Sequence, residues 1–105
     1  MPVSVVCRED YCGETGKHLI EGIADGFVPG IVLRHQTLLD EVVTVESTGA
    51  VREMRRLARE HGIFVGPTSG AHLIAARELR DRRKLEHVVI FFCDEGEKYI
   101  NDYWL

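Results

Sequence analysis

The sequence predicts an α/β fold, a small and largely parallel sheet covered by helices. Three observations carry this expectation. Short β-type runs at 3–7, 41–45, 63–65 and 88–92 are separated by other structure in a strand, irregular, strand, helix, strand, helix, strand order. Two of the intervening stretches place apolar residues at helical spacing. The run Val88-Val89-Ile90-Phe91-Phe92 is continuously apolar, as expected of a strand buried on both faces. At 105 residues and 11.9 kDa, residues 1–105 are read as a single domain.

Taken in order, Val3-Ser4-Val5-Val6-Cys7 is the first strand. Residues 8–17 are polar and glycine-containing, a loop. Residues 19–33 are broken by Gly22, Gly26, Pro29 and Gly30 and support short helical turns at most. Glu41-Val42-Val43-Thr44-Val45 is the second strand. Ser47 stands where an N-cap belongs, and Val51, Met54, Leu57 and Ala58 follow at helical spacing until Gly62 closes the helix. Ile63-Phe64-Val65 is a short strand, and Gly66-Pro67-Thr68-Ser69-Gly70 is a loop. A second helix is expected from Ala71 to Arg83, with Ile74, Ala75 and Leu79 facing inward. The tail after Gly96 makes one or two helical turns.

Composition narrows the function classes. Hydrophobic residues at 45% and charged residues at 29% exclude collagenous, low-complexity and strongly disordered chains. No apolar run approaches the roughly 18 residues of a membrane span, and no leader pattern is expected. The net charge of −4 argues against non-specific nucleic-acid binding. Arg52, Arg55, Arg56 and Arg59, and Arg77, Arg80, Arg82 and Arg83, are interleaved with Glu53, Glu60, Glu78 and Asp81. They read as solvated, partly paired helix faces. Cys7, Cys12 and Cys93 are an odd set at irregular spacing, which favours reduced thiols and a cytoplasmic protein.

Few motifs carry chemistry. In 66–70, small and hydroxyl residues sit between a strand and a helix. Backbone N–H groups there can receive a ligand, or Thr68 or Ser69 only caps the helix. A nucleophile-elbow reading of Gly66-x-Thr68-x-Gly70 fails because the chain is too short for the hydrolase sheet. Gly13-Glu14-Thr15-Gly16-Lys17 is no phosphate loop, since Tyr11 and His18 stand where Gly and Ser or Thr are required. The histidines and cysteines lack metal-ligand spacing, so no metal site is expected.

Several segments, in order, resemble the cysteine synthases. Lys17-His18-Leu19-Ile20-Glu21-Gly22-Ile23-Ala24-Asp25-Gly26-Phe27-Val28-Pro29 is similar to their His-x-Ile-x-Gly-Ile-Gly-x-Gly-Phe-x-Pro stretch. Leu39-Asp40-Glu41-Val42-Val43-Thr44-Val45 resembles their Ile-Asp-Glu-Val strand. Glu60-His61-Gly62-Ile63-Phe64-Val65-Gly66-Pro67-Thr68-Ser69-Gly70-Ala71 resembles Glu-Glu-Gly-Ile-x-x-Gly-x-Ser-Ser-Gly-Ala. Asp94-Glu95-Gly96-Glu97-Lys98-Tyr99 resembles Asp-Ser-Gly-Glu-Arg-Tyr, and the tail is similar to that of cystathionine β-synthases. The likeness runs from about residue 17 to 104, and its specificity lies in the ordered set.

The resemblance implies the carboxyl-terminal third of a pyridoxal-phosphate enzyme of fold type II, part of its large domain. It assigns cofactor contacts to Thr68, Ser69, Gly70 and Asp94, with the Thr68 hydroxyl on the pyridine nitrogen and Asp94 near that end of the ring. It assigns Gly22, Ile23 and Ala24 to the substrate loop, where Ala24 replaces a glycine and Asp25 a small residue. The family's Schiff-base lysine and phosphate loop have no counterpart here; the lysines are Lys17, Lys84 and Lys98. The implied activity is β-replacement of an activated serine by sulfide. The chain alone is expected to bind pyridoxal phosphate weakly or not at all and to be inactive. It is expected to work as a homo-oligomer or with a complementary amino-terminal chain. The alternative is a non-enzymatic self-association or partner-binding domain derived from that fold.

Overall fold

Two helices, α2 (Ser47–His61) and α3 (Pro67–Arg83), form the centre of the computed structural model, which describes residues 5–7 and 29–105. Strand β1 (Val5–Cys7) pairs in parallel with β2 (Glu41–Val43), in the register Val5↔Glu41, Val6↔Val42 and Cys7↔Val43. A short helix α1 (Gly30–Arg34) and a 3-10 turn, Gln36–Leu38, lead into β2. The tail folds as a 3-10 turn, Glu97–Tyr99, running into α4 (Ile100–Tyr103). The parallel pair and the helices beside it agree with the expected α/β class. The expected loop at 8–17 lies outside the described residues.

Helix α2 forms where the apolar spacing predicts it. Ala50, Val51, Met54 and Leu57 are buried on one face. The helix ends at Gly62, whose φ of 66° is left-handed and costs glycine little. Ser47 is the first helical residue and not the cap; Glu46 precedes the helix without a side-chain capping bond. Against α2 lies α3, and Gly70 makes the close approach possible. A Cβ at Gly70 would collide with the Ala50 carbonyl oxygen and press on the Met54 amide. Ala50 and Ala71 pack there with Val45, and Val43, Ala75 and Leu79 continue the core with Val45 and Leu85.

Charge also joins the two helices. Glu53 is buried and meets Arg56 of its own helix and Arg77 of α3, each at 2.6 Å. Glu41 at the start of β2 meets Arg82 and Arg83 at the end of α3. These arginine faces are therefore partly paired, as expected, but Glu53 is buried where a solvated position was expected. Helix α3 closes on Lys84, a non-glycine residue held at φ 54°.

Three further expectations are corrected. Helix α3 starts at Pro67 and not at Ala71, so the expected loop is its first turn. Proline suits the first helical position because its missing N–H would have no intrahelical partner there. In the 63–65 run, only Val65 pairs, in an isolated antiparallel bridge to Glu95. Residues 88–92 form no strand: Val89 is 87% and Phe91 77% exposed. An apolar run becomes a buried strand only where other strands pair with its edges and helices cover its faces, and the described residues supply no pairing strand there.

Candidate functional site

The candidate site is the first turn of α3, and its geometry comes from two short segments lying side by side. Gly66 N–H donates to the Asp94 carbonyl at 3.2 Å, and Gly96 N–H donates to the Phe64 carbonyl at 3.3 Å. The Val65–Glu95 bridge sits between these bonds. Their close approach depends on Gly66, because a Cβ there would overlap the Asp94 carboxylate and the Tyr99 ring. Tyr99 is buried, and beyond it Phe64 meets Trp104 edge-on at 5.8 Å.

This pairing aims Asp94 at the helix. Thr68 N–H donates to Oδ2 and Ser69 N–H donates to Oδ1, each at 3.0 Å. The Ser69 hydroxyl donates to Oδ1 as well, in a very short bond. Asp94 thus caps α3 from 26 residues away, a task usually done by the residue just before the helix. Ser69 and Gly70 are buried, and Thr68 is 9% exposed. The Thr68 hydroxyl takes no part in the cap.

The sequence-assigned residues Thr68, Ser69, Gly70 and Asp94 therefore come together. Gly70 also makes the close contact with α2. Gly22, Ile23 and Ala24 lie outside the described residues. Tyr99, which walls the turn, was not singled out from sequence; its signal was its place at the end of the 94–99 motif. Among the described residues no cluster of metal-ligating side chains occurs. Cys93, next to Asp94, is free and exposed over much of its surface; partial desolvation of its thiol, and then the Asp94 charge, push its pKa up, away from a reactive thiolate.

The donor set tests what this turn can hold. Its Thr68 and Ser69 N–H groups are committed to Asp94 and its Gly70 N–H to the Gly66 carbonyl, so they do not suit a phosphate. Thr68 supplies a neutral hydroxyl beside the helix start, which suits an uncharged ring nitrogen. This is compatible with the ring-nitrogen contact that the resemblance implies for Thr68.

The family model described as pyridoxal-phosphate dependent enzyme matches residues 4–94. A probable cysteine synthase of Bacillus subtilis is 38% identical over 94 residues, which are 88% of this chain and 30% of that protein. An O-ureido-L-serine synthase of Streptomyces lavendulae is 35% identical over 92 residues, 87% of this chain and 28% of that protein. Among solved structures, a hydrogen sulfide-producing enzyme of Fusobacterium nucleatum superposes with a TM-score of 0.80 at 33% identity, covering 93% of this chain and 30% of that one. An O-ureido-L-serine synthase superposes with a TM-score of 0.77 at 31% identity, covering 96% of this chain and 33% of that one. The chain thus spans about 30% of the length of the curated relatives it matches. No described helix is long and apolar enough to cross a membrane.

Proposed function

The chain belongs to the family of pyridoxal-phosphate-dependent enzymes, and from that premise we propose that it forms the ring-nitrogen side of a cysteine-synthase-like centre. The observation that carries this reading is the first turn of α3. There Asp94 orders the backbone and the Thr68 hydroxyl is left outside the cap. Pyridoxal phosphate, when bound, supplies an electron sink for β-elimination and β-replacement.

This chain's residues do the following. Thr68 would donate a hydrogen bond from its hydroxyl to the ring nitrogen, and such a neutral donor would not force that nitrogen into its charged form. Ser69 and Asp94 hold the turn. The resemblance assigns the substrate contact to Gly22, Ile23 and Ala24. The lysine that links the cofactor and the loop that binds its phosphate come from polypeptide beyond these residues, either continuous with the chain or from a complementary chain. With that part present, the reaction is replacement of the β-substituent of an activated serine by sulfide in the cytoplasm. These 105 residues alone are inactive.

A titration of the 105-residue chain with pyridoxal phosphate, followed by borohydride trapping and peptide mapping, tests the last point. The expected result is weak labelling spread over Lys17, Lys84 and Lys98. Stoichiometric labelling of one of them, weakened by Thr68→Ala, would mean a complete site in this chain.

One observation favours a second reading, a self-associating or partner-binding domain. Val89 and Phe91 are 87% and 77% exposed, and Phe92 and Val88 are also exposed beside them. Such surface usually marks a contact. Sedimentation of the chain as a monomer at all concentrations would count against it.

A further inference from the structure

The start of a helix ordinarily offers several backbone N–H groups that lack a partner within the helix, and these attract anions. In α3 every such group of the first turn is accounted for. Pro67 has no N–H. Thr68 and Ser69 donate to the two oxygens of Asp94 at 3.0 Å. Gly70 donates to the Gly66 carbonyl at 3.4 Å. The Ser69 hydroxyl also goes to Asp94. One carboxylate, brought from a distant part of the chain, spans two successive amides as a bound oxyanion would.

Asp94 cannot swing aside cheaply. Its own carbonyl accepts from Gly66 N–H at 3.2 Å, and its neighbour Glu95 bridges Val65. The space a Gly66 side chain would need is taken by its carboxylate and by the buried Tyr99 ring. Its full charge also outweighs the roughly half charge of the helix start.

We infer that Asp94 is an orientation-determining residue: a built-in anion that closes the start of α3 to phosphate, so that the cofactor meets this turn by its ring nitrogen and not by its phosphate. The orientation part rests on the proposed ring-nitrogen role of Thr68. The exclusion part stands on the capping geometry alone. Asp94 acts through the Thr68–Ser69 backbone and need not touch the cofactor.

The experiment is a titration of the 105-residue chain with inorganic phosphate, followed by the backbone amide NMR signals of Thr68 and Ser69. In the unsubstituted chain these two amides do not titrate. In Asp94→Asn they shift saturably, with phosphate affinity raised about tenfold or more, as removal of a like charge at a helix start requires. Asp94→Glu, which keeps the charge, restores exclusion. Saturable shifts of Thr68 and Ser69 in the unsubstituted chain would overturn the proposal. So would an Asp94→Asn chain that keeps its dispersed spectrum and still ignores phosphate. Should Asp94→Asn not fold, the unsubstituted and Asp94→Glu chains decide: a response at either pair of amides overturns exclusion, and silence in both supports it. No cofactor is present in this test. Failure of the ring-nitrogen reading appears separately, as a Thr68→Ala substitution without effect on cofactor retention.

Discussion

The first turn of α3 and the segment 88–92 lie close in sequence but differ in how far the described residues complete them. In the first, each backbone donor has a partner and Ser69 is fully buried. In the second, an apolar run stands exposed, tied to α3 through a 2.8 Å bond from His72 Nδ1 to the Phe91 carbonyl. Polar satisfaction in the turn comes from groups within the chain. Burial of 88–92 requires a covering surface. Among the described residues the contrast is between a helix start that is complete in itself and an apolar face that is not covered.

The largest expected effect is at the contact that supports the complete helix start. Gly70→Val should cost about 3 kcal/mol or more, because the new side chain meets the Ala50 backbone carbonyl and not a flexible neighbour. Urea unfolding measures it; a cost below that of an ordinary surface change would mean that α2 and α3 are not packed this closely.

Next comes the buried carboxylate between those helices. The Arg56 hydrogen bonds hold the Glu53 carboxyl below its ordinary value of 4.5, against the opposing effect of burial and with further help from Arg77. A carboxyl with a lowered folded-state pKa contributes stability at pH above its unfolded value. That contribution is lost as pH falls below 4.5 toward the folded value. Glu41, held down chiefly by Arg82 and then Arg83, acts in the same direction. Glu53→Gln should cost about 1–2 kcal/mol at neutral pH, since both arginine partners keep access to water. It should also flatten the acid side of the stability profile, which denaturant melts between pH 3 and 7 would show.

A smaller effect of opposite sign is expected at the end of α3. Lys84→Gly relieves a left-handed non-glycine residue and should stabilise the chain by about 0.5–1 kcal/mol, read as a higher thermal midpoint. The smallest effect belongs to the uncovered face. Val89→Ser should change monomer stability by no more than about 0.5 kcal/mol while reducing self-association in sedimentation. A large loss of stability would show that this segment is already packed.

Sequence reading reached the parts of the molecule governed by local pattern. Val51, Met54 and Leu57 announced α2 by spacing, and Gly62 announced its end. It placed the start of α3 too late, because Gly66-Pro67-Thr68-Ser69-Gly70 has turn chemistry at every position. The cap that makes it helical is Asp94, remote in sequence and invisible to a local window. Resemblance brought Thr68, Ser69 and Asp94 into one list, but not the bonds among them. The burial of Glu53 was hidden because Arg77, its partner from α3, lies on another helix. The apolar run at 88–92 was legible as something to be covered, and among the described residues nothing covers it.

The central claim is that this chain supplies the ring-nitrogen side of a pyridoxal-phosphate site. The most direct test is to combine it with the part of the Bacillus subtilis relative that it does not match, and to follow cofactor retention by absorbance. The account predicts that the two polypeptides together retain pyridoxal phosphate and neither does alone. Thr68→Ala should weaken retention about fivefold, the value of one hydrogen bond of about 1 kcal/mol. A complex that forms yet retains no cofactor, or retains it equally well with Thr68→Ala, would contradict the claim.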